Sequence, residues 1–552
     1  MDQAPPEVAN NVLVIGAGMG GLRMVYELRK QGFEVQGIEA GSDVGGTWYW
    51  NTYPGARTDT EAWGYGFFFD KELATDWGWD DRYPNQAQMH KYLEHVATRF
   101  DLRRSFEFGQ FVQSARFDTD TGKWTVETDK GCMFTATYLV TACGVLSSPV
   151  MPDIKGLDQF EGTAIHSARW PKEGIDLAGK RVAIIGSGAT AVQLLPVLSQ
   201  VAGHVTMFQR TPNYVIPARN NPLEDQDRER LRHRYDVMKD QIRNHPFASA
   251  FDLNQRGSKS LSYEERQRIL EAKWEFGGFQ YVWETFNDFF SSDQCNEELS
   301  EFIRKKIRII VDDPVTAEAL CPKYPLFSKR PPLGHGYFEA FNRDNVSLVD
   351  VSAAGIEEIT RDGIRASGVE HPFDVIIFAT GFDAGTGALT DMNVVGSDGI
   401  SLRDKWADGP LTYFGICVDG FPNLFMISGP QTPLSVVPPA IEAECEWIAK
   451  VLKRARSTGT DQVEVSASAT KAWKEAVDAS ARGTLLEKAH EVRSWWLGAN
   501  VKGKAHVMQF YVGGFKEYAD QLDRSVAANY PDLTFTKTAS HELVVQDEWV
   551  GG

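Results

Sequence analysis

No run of about 18 apolar residues occurs anywhere in the 552-residue chain, so no membrane-spanning helix is expected. Cysteine is sparse: the six, at 132, 143, 295, 321, 417 and 445, form no Cys-x-x-Cys pair. That disfavours a disulfide framework, a zinc site or a redox dithiol, and suits reduced thiols in a cytoplasmic compartment. Positive charge is short as well, with 57 Lys and Arg against 75 Asp and Glu and a net charge of −18. A nucleic-acid partner is therefore not expected, because phosphate binding needs an excess of cations. A local basic pocket for one nucleotide phosphate remains compatible. No low-complexity tract is present, and the N-terminal MDQAPPEVANN lacks the charged-then-apolar plan of a secretion signal; it reads as a disordered lead-in. No metal site is expected.

What is present is an ordinary globular composition, 42% hydrophobic and 24% charged, with length for roughly two to four domains. Two glycine-rich turns dominate it. Val12 to Ile15 reads as a strand buried on both faces, followed by Gly16, Gly18, Gly20 and Gly21 and a helix from Leu22 to Gln31. Phe33 to Ile38 reads as the next strand, ending at Glu39, where a carboxylate can hold ribose hydroxyls. The pattern returns as strand Arg181 to Ile185, turn Gly186-Ser187-Gly188, and a helix from Ala189, with Ala191 as the third small residue. Small residues there let a backbone approach a pyrophosphate at a helix N-terminus. The second unit's strand, His204 to Phe208, leads into Arg210 and Thr211 in place of an acid. An arginine at that point accepts a 2′-phosphate, so the two units predict one nucleotide with a free 2′-hydroxyl and one NADP(H).

Between and beyond these units the chain changes character. Residues 44–69 are too rich in glycine and aromatics for a regular element; they predict a loop along an aromatic cofactor, with Trp48 and Tyr53 as walls and Asp59 as the carboxylate in reach. Gln86 to Arg99 reads as a helix, and residues 123–144 as a hairpin turning at Asp129-Lys130-Gly131. The expected division is a first nucleotide domain over 1–150, a second over 151–221 and 329–384, a helical insertion at 222–328, and a return to the first domain over 385–552. The expected class is α/β with two Rossmann-like dinucleotide-binding domains. Aromatics at 277–290 fit either a substrate pocket or helix packing, and Leu434, Val436 and Val437 fit either a pocket or plain core. Lys329 and Arg330 share a proline-flanked loop and predict ligands for a phosphate or a developing anion. Glu442 to Arg456 reads as an amphipathic helix, and the two tryptophans at 495 and 496 beside a Gly- and Lys-containing loop predict a mobile lid over 493–504.

Phe160, Gly162, His166, Trp170 and Pro171 together match the linker fingerprint of the type I flavin-dependent Baeyer–Villiger monooxygenases, which the chain resembles from about residue 10 to residue 515. Gly45, Gly46, Trp48, Tyr53, Pro54, Gly55 and Asp59 fill that family's second motif. Cyclohexanone-monooxygenase-like members look most similar. The resemblance implies FAD on the first unit, with Gly16, Gly18, Gly20, Gly21 and Glu39 at its nucleotide end and Thr47, Trp48, Asp59, Tyr65 and Val112 along it. It implies NADPH on the second, with Gly186, Ser187, Gly188, Thr190 and Gln193 at the pyrophosphate and Arg210, Thr211 and Lys329 at the 2′-phosphate. Trp495 would cover the nicotinamide. The implied reaction inserts one oxygen atom from O2 beside the carbonyl of a cyclic ketone, through a C4a-peroxyflavin, to give a lactone or ester. Arg330 would stabilise the anion, Asp59 would aim it, and His166 would couple the domains. A monomer acting on small ketones is implied. The alternative is a relative that oxygenates nitrogen or sulfur, disfavoured by Trp170-Pro171 and the Asp59 loop.

Overall fold

The computed structural model describes residues 8–538. Two sheets organise them. The first has eight strands; along its main path the order is 394–395, 112–118, 123–128, 133–141, 8–15, 35–39 and 106–108, and the strand Leu424–Met426 also pairs with 133–141. Its centre is parallel, with Ile15 opposite both Ile38 and Thr141. Alternation along Val12 to Ile15 sends side chains into two cores, as a strand covered on both faces requires. Val12 and Val14 pack with Leu22, Val25 and Leu28 of the helix Met19–Lys30 and with Ile448 and Leu452 of the helix Val437–Thr458. Leu13 and Ile15 pack in a second cluster with Trp124 and Val126 of the sheet's antiparallel strand 123–128.

The second sheet is five parallel strands in the order 346–350, 204–209, 181–185, 375–378, 163–166. Val182 and Ile184 meet Val192, Leu195 and Leu198 of the helix Ala189–Val201, beneath the helices that intervene between strands 204–209 and 346–350. The longest of those, Asp293–Ile310, is capped by Ser292 and buries Leu299, Ile303 and Ile307. Ala183 and Ile185 face a three-stranded antiparallel layer through Ile359 and Ile364.

The chain crosses between the sheets twice, side by side. Pro149 bridges Phe382, and the Thr380 hydroxyl donates to the Val150 carbonyl at 2.6 Å. Strands 394–395 and 424–426 then complete the first sheet.

Several boundaries fall where the sequence predicts: Gln86–Arg99, Arg181–Ile185 and the start at Ala189. Two do not. The first strand begins at Val8, inside the expected lead-in, because parallel pairing of 8–10 with 134–136 takes up its backbone groups; residues 1–7 of that lead-in lie outside the described residues. The helix expected from Glu442 begins at Val437, since Pro438 and Pro439 occupy the first turn, where a missing N–H costs nothing. Among the described residues no helix is long and apolar enough to cross a membrane.

Candidate active site

The two glycine turns open onto one cleft of about 1620 Å³. That exceeds the roughly 300–1,000 Å³ typical of a single small ligand and leaves room for two dinucleotides. Gly16 sits at φ 104, and a Cβ there would lie 2.5 Å from the Ala142 carbonyl oxygen. Gly21 does not line the cleft: a Cβ on it would fall 1.8 Å from the Gly16 carbonyl oxygen, so its role is to seat the helix on the turn. The helices starting at Met19 and Ala189 have no side-chain cap, so their first-turn N–H groups stay available to an anion. Gly188 is informative in a different way. A Cβ on it would meet nothing within 4 Å, so the protein itself does not require glycine there. The open space suits close approach of a phosphate.

Glu39 ends its strand with both carboxylate oxygens engaged, accepting from the Ala17 and Gly41 backbone N–H groups at 2.7 Å each. Burial pushes this carboxyl up, opposed by those two bonds. The aromatic loop then wraps the first turn: the Gly46 Cα lies 3.3 Å from where a Gly18 Cβ would be. One helical turn, Thr47–Trp50, sets Trp48 edge-on to Tyr65 at 5.9 Å. Burial holds the Tyr65 hydroxyl at about 12, so it stays protonated at neutral pH. Val112, at the start of its strand, lines the cleft on the same side as Gln110 and Phe111.

The same loop docks on the second unit. The Tyr53 hydroxyl donates to Gln193 Oε1 at 2.8 Å, and Gln193 Nε2 donates to the Arg57 carbonyl at 3.1 Å. Gly55, at φ 85, has the Gln193 carbonyl oxygen 2.4 Å from where a Cβ would sit. Gln193 therefore holds the two units together with both ends of its amide, while also lining the cleft. Ser187 is likewise engaged, donating to the Thr211 carbonyl at 2.6 Å.

At the centre, Arg330 Nη1 donates to Asp59 Oδ2 at 2.7 Å. Asp59 is buried, its side chain 4% exposed, whereas the Arg330 side chain is 33% exposed and lines the cleft. Asp59 Oδ1 has no partner among the described residues, and Arg330 makes no other hydrogen bond to them. Burial pushes the Asp59 carboxyl up, and the Arg330 guanidinium opposes that shift. Phe279 lies 5.5 Å from the guanidinium. The loop that carries Arg330 is strained: Phe327 adopts φ 77, a left-handed conformation that a bulky residue rarely takes.

Arg210, Thr211 and Lys329 gather at the other end of the second turn. Burial lowers the Lys329 ammonium to about 8, helped by the Arg210 charge. Burial also lowers the Arg210 guanidinium, followed by the charge of Arg493. Neither cation has a carboxylate partner among the described residues. Leu434, Val436, Val437 and Trp495 line the cleft, as do Thr47, Gly20 and Thr190. The aromatics of the insertion divide: Phe279 and Trp283 reach the cleft, while Phe286 and Phe289 are core.

The model of the pyridine nucleotide-disulphide oxidoreductases matches residues 13–245. A Baeyer-Villiger monooxygenase of Pseudooceanicola batsensis is 43% identical over 96% of this chain and 97% of its own. This chain belongs to the Baeyer–Villiger monooxygenase family. A phenazine N-monooxygenase of Lysobacter antibioticus is also similar, 39% identical over 94% of this chain and 96% of its own. The crystal structure of cyclohexanone monooxygenase from Rhodococcus sp. Phi1 bound to NADP+ superposes with a TM-score of 0.93 at 39% identity, covering 96% of this chain and 100% of that one.

Within this family scaffold the linker histidine, His166, is 6% exposed, and its Nδ1 accepts from the Ala168 N–H at 3.1 Å. Burial lowers its ring's pKa, and it packs edge-on against Phe382 at 5.9 Å on the crossing segment. Sequence reasoning missed Arg493 as part of the site and left Phe279 open. Both were signalled only by neighbours, the tryptophans at 495 and 496 and the aromatic run 277–290.

Proposed function

We propose that this chain binds FAD on the first glycine turn and NADPH on the second, and inserts one oxygen atom of O2 beside the carbonyl of small cyclic ketones to give lactones or esters. The protein is read as a cytoplasmic monomer, a compartment that its six free thiols suit. The division at residues 150, 221, 328 and 384 is adopted with it. The observation that carries the reading is the Arg330–Asp59 pair, set in a cleft that both uncapped helix N-termini also face.

FAD, when bound, supplies the electron and oxygen chemistry that no side chain can. Glu39 would meet its ribose end, and Thr47, Trp48, Tyr65 and Val112 its length. Arg210, Thr211 and Lys329 would hold the NADPH phosphate, with Gly188 giving way to the pyrophosphate and Trp495 covering the nicotinamide. Arg330 holds negative charge on a reacting oxygen by fixed electrostatics, a contribution worth about 3 kcal/mol per donor. It cannot lose its proton, and its unbonded N–H groups are free to turn to a substrate carbonyl. Asp59, buried and fixed, aims that fork rather than moving a proton. Leu434, Val436 and Val437 would give the ketone an apolar wall.

The test is product analysis with purified holoenzyme, NADPH and O2, offering cyclohexanone, a thioether and a phenazine in parallel. Lactone formation supports the reading. Oxygenation of sulfur or nitrogen with no lactone from any ketone in a size series would replace it with the alternative.

A further inference from the structure

We infer that Arg493, on the lid, is a third ligand of the NADPH 2′-phosphate, so that the lid settles preferentially over the phosphorylated cofactor. The inference rests on the reading of Arg210, Thr211 and Lys329 as the 2′-phosphate site. Four observations carry it. Arg493 lines the same cleft as those residues although it is far from them in sequence. None of Arg210, Lys329 and Arg493 has a carboxylate within ion-pair distance among the described residues, in a chain of net charge −18. Three cations gathered without a counter-charge repel one another unless an anion joins them, and a phosphate is the ligand whose charge balances the set.

Backbone strain supplies the third. Arg493 ends the short helix Leu485–Val492 in a left-handed conformation, φ 49 and ψ 51, which favours glycine or asparagine. Keeping an arginine there is explained by a use for the guanidinium. The fourth is that the lid is anchored nearby. Asn500 donates to the Phe382 carbonyl at 2.9 Å, and Lys504 pairs with Asp383 and reaches the Ala384 carbonyl at 3.0 Å. Arg493 is exposed at the near end of this fixed segment, so its side chain can swing to a phosphate without moving the anchors.

The test is isothermal titration of the FAD-loaded enzyme with adenosine 2′,5′-bisphosphate and with adenosine 5′-monophosphate. Arg493→Asn tolerates the left-handed backbone and removes the charge; Arg493→Lys keeps it. We expect Arg493→Asn to weaken the bisphosphate roughly tenfold, the scale of one charge-assisted hydrogen bond at an exposed site. The monophosphate should be unchanged, and Arg493→Lys should recover much of the loss. Equal weakening of both nucleotides would reduce Arg493 to a structural cap and overturn the inference, as would no weakening of either. If the unmodified enzyme shows no preference for the bisphosphate, the 2′-phosphate site itself fails, and that outcome is seen before any variant is made.

Discussion

Removing Arg330 should strand a buried carboxylate, and the consequence should depend on pH. In the intact protein Asp59 Oδ2 holds Arg330 at 2.7 Å while Oδ1 has no partner among the described residues. Arg330→Ala deletes the opposing charge in direct contact with a side chain that is 4% exposed in the intact protein. Burial already raises the Asp59 carboxyl, and the loss raises it further. A carboxyl whose folded-state pKa lies above its unfolded value stabilises the fold only while protonated. The deficit is therefore absent below the unfolded value near 4 and grows as pH rises toward the folded one. Breaking a buried pair from one side costs about 3 kcal/mol, or a thermal midpoint lower by roughly 2–3 °C for a chain of this length unfolding as one unit. The assay is thermal unfolding of wild type and Arg330→Ala at pH 5 and pH 8, with ester formed per NADPH consumed as the second readout. We expect a larger midpoint loss at pH 8 than at pH 5, and NADPH consumption without ester. Adding Asp59→Asn to Arg330→Ala should restore stability at pH 8 but not ester formation. An identical midpoint loss at both pH values, or full ester yield from Arg330→Ala, would refute the assignment of this pair.

Gly188→Ala should fold normally, because the added methyl meets nothing within 4 Å, yet bind NADP+ at least about tenfold more weakly; unaltered affinity by titration would remove the phosphate from that position. Lys329 lies at about 8, so its charge is progressively lost above pH 8 in the nucleotide-free protein. The KM for NADPH should accordingly climb between pH 7 and pH 9 while that for NADH stays level, measured in parallel steady-state series. Tyr53→Phe deletes the 2.8 Å bond to Gln193 that ties the aromatic loop to the second unit. It should lower stability by about 1 kcal/mol in denaturant titration and reduce ester yield per NADPH more than flavin reduction; equal effects on both would place the bond outside the coupling of the units.

The sequence was most legible where structure is set by neighbours along the chain. The turn at 186–188, the strand before it and the helix after it follow from the positive φ that Gly186 allows and from an apolar run. So does Gln86–Arg99, whose Asn85 cap is local too. The start of the first strand was not legible, because Asn10 and Asn11 interrupt the apolar run and Val8 to Asn10 are held by a ladder to residues 134–136. Gln193 looked like a pyrophosphate ligand from its place on the helix; that its amide also clasps Tyr53 and Arg57 depends on docking between units. Arg493 escaped for the same reason: a cation cluster assembled from positions 210, 329 and 493 has no spacing to read.

The segment 493–504 is fastened at its far end to residues 382–384, which cross between the sheets, while Trp496 seats it in the core of the first sheet. Residues 382–384 also carry the ring against which His166 packs. Any rotation of one nucleotide unit against the other must therefore drag the lid's root with it. Opening the cleft to exchange a nucleotide and uncovering it to solvent become a single movement, so slow release of the spent cofactor would also lengthen the time the reacting centre stays dry.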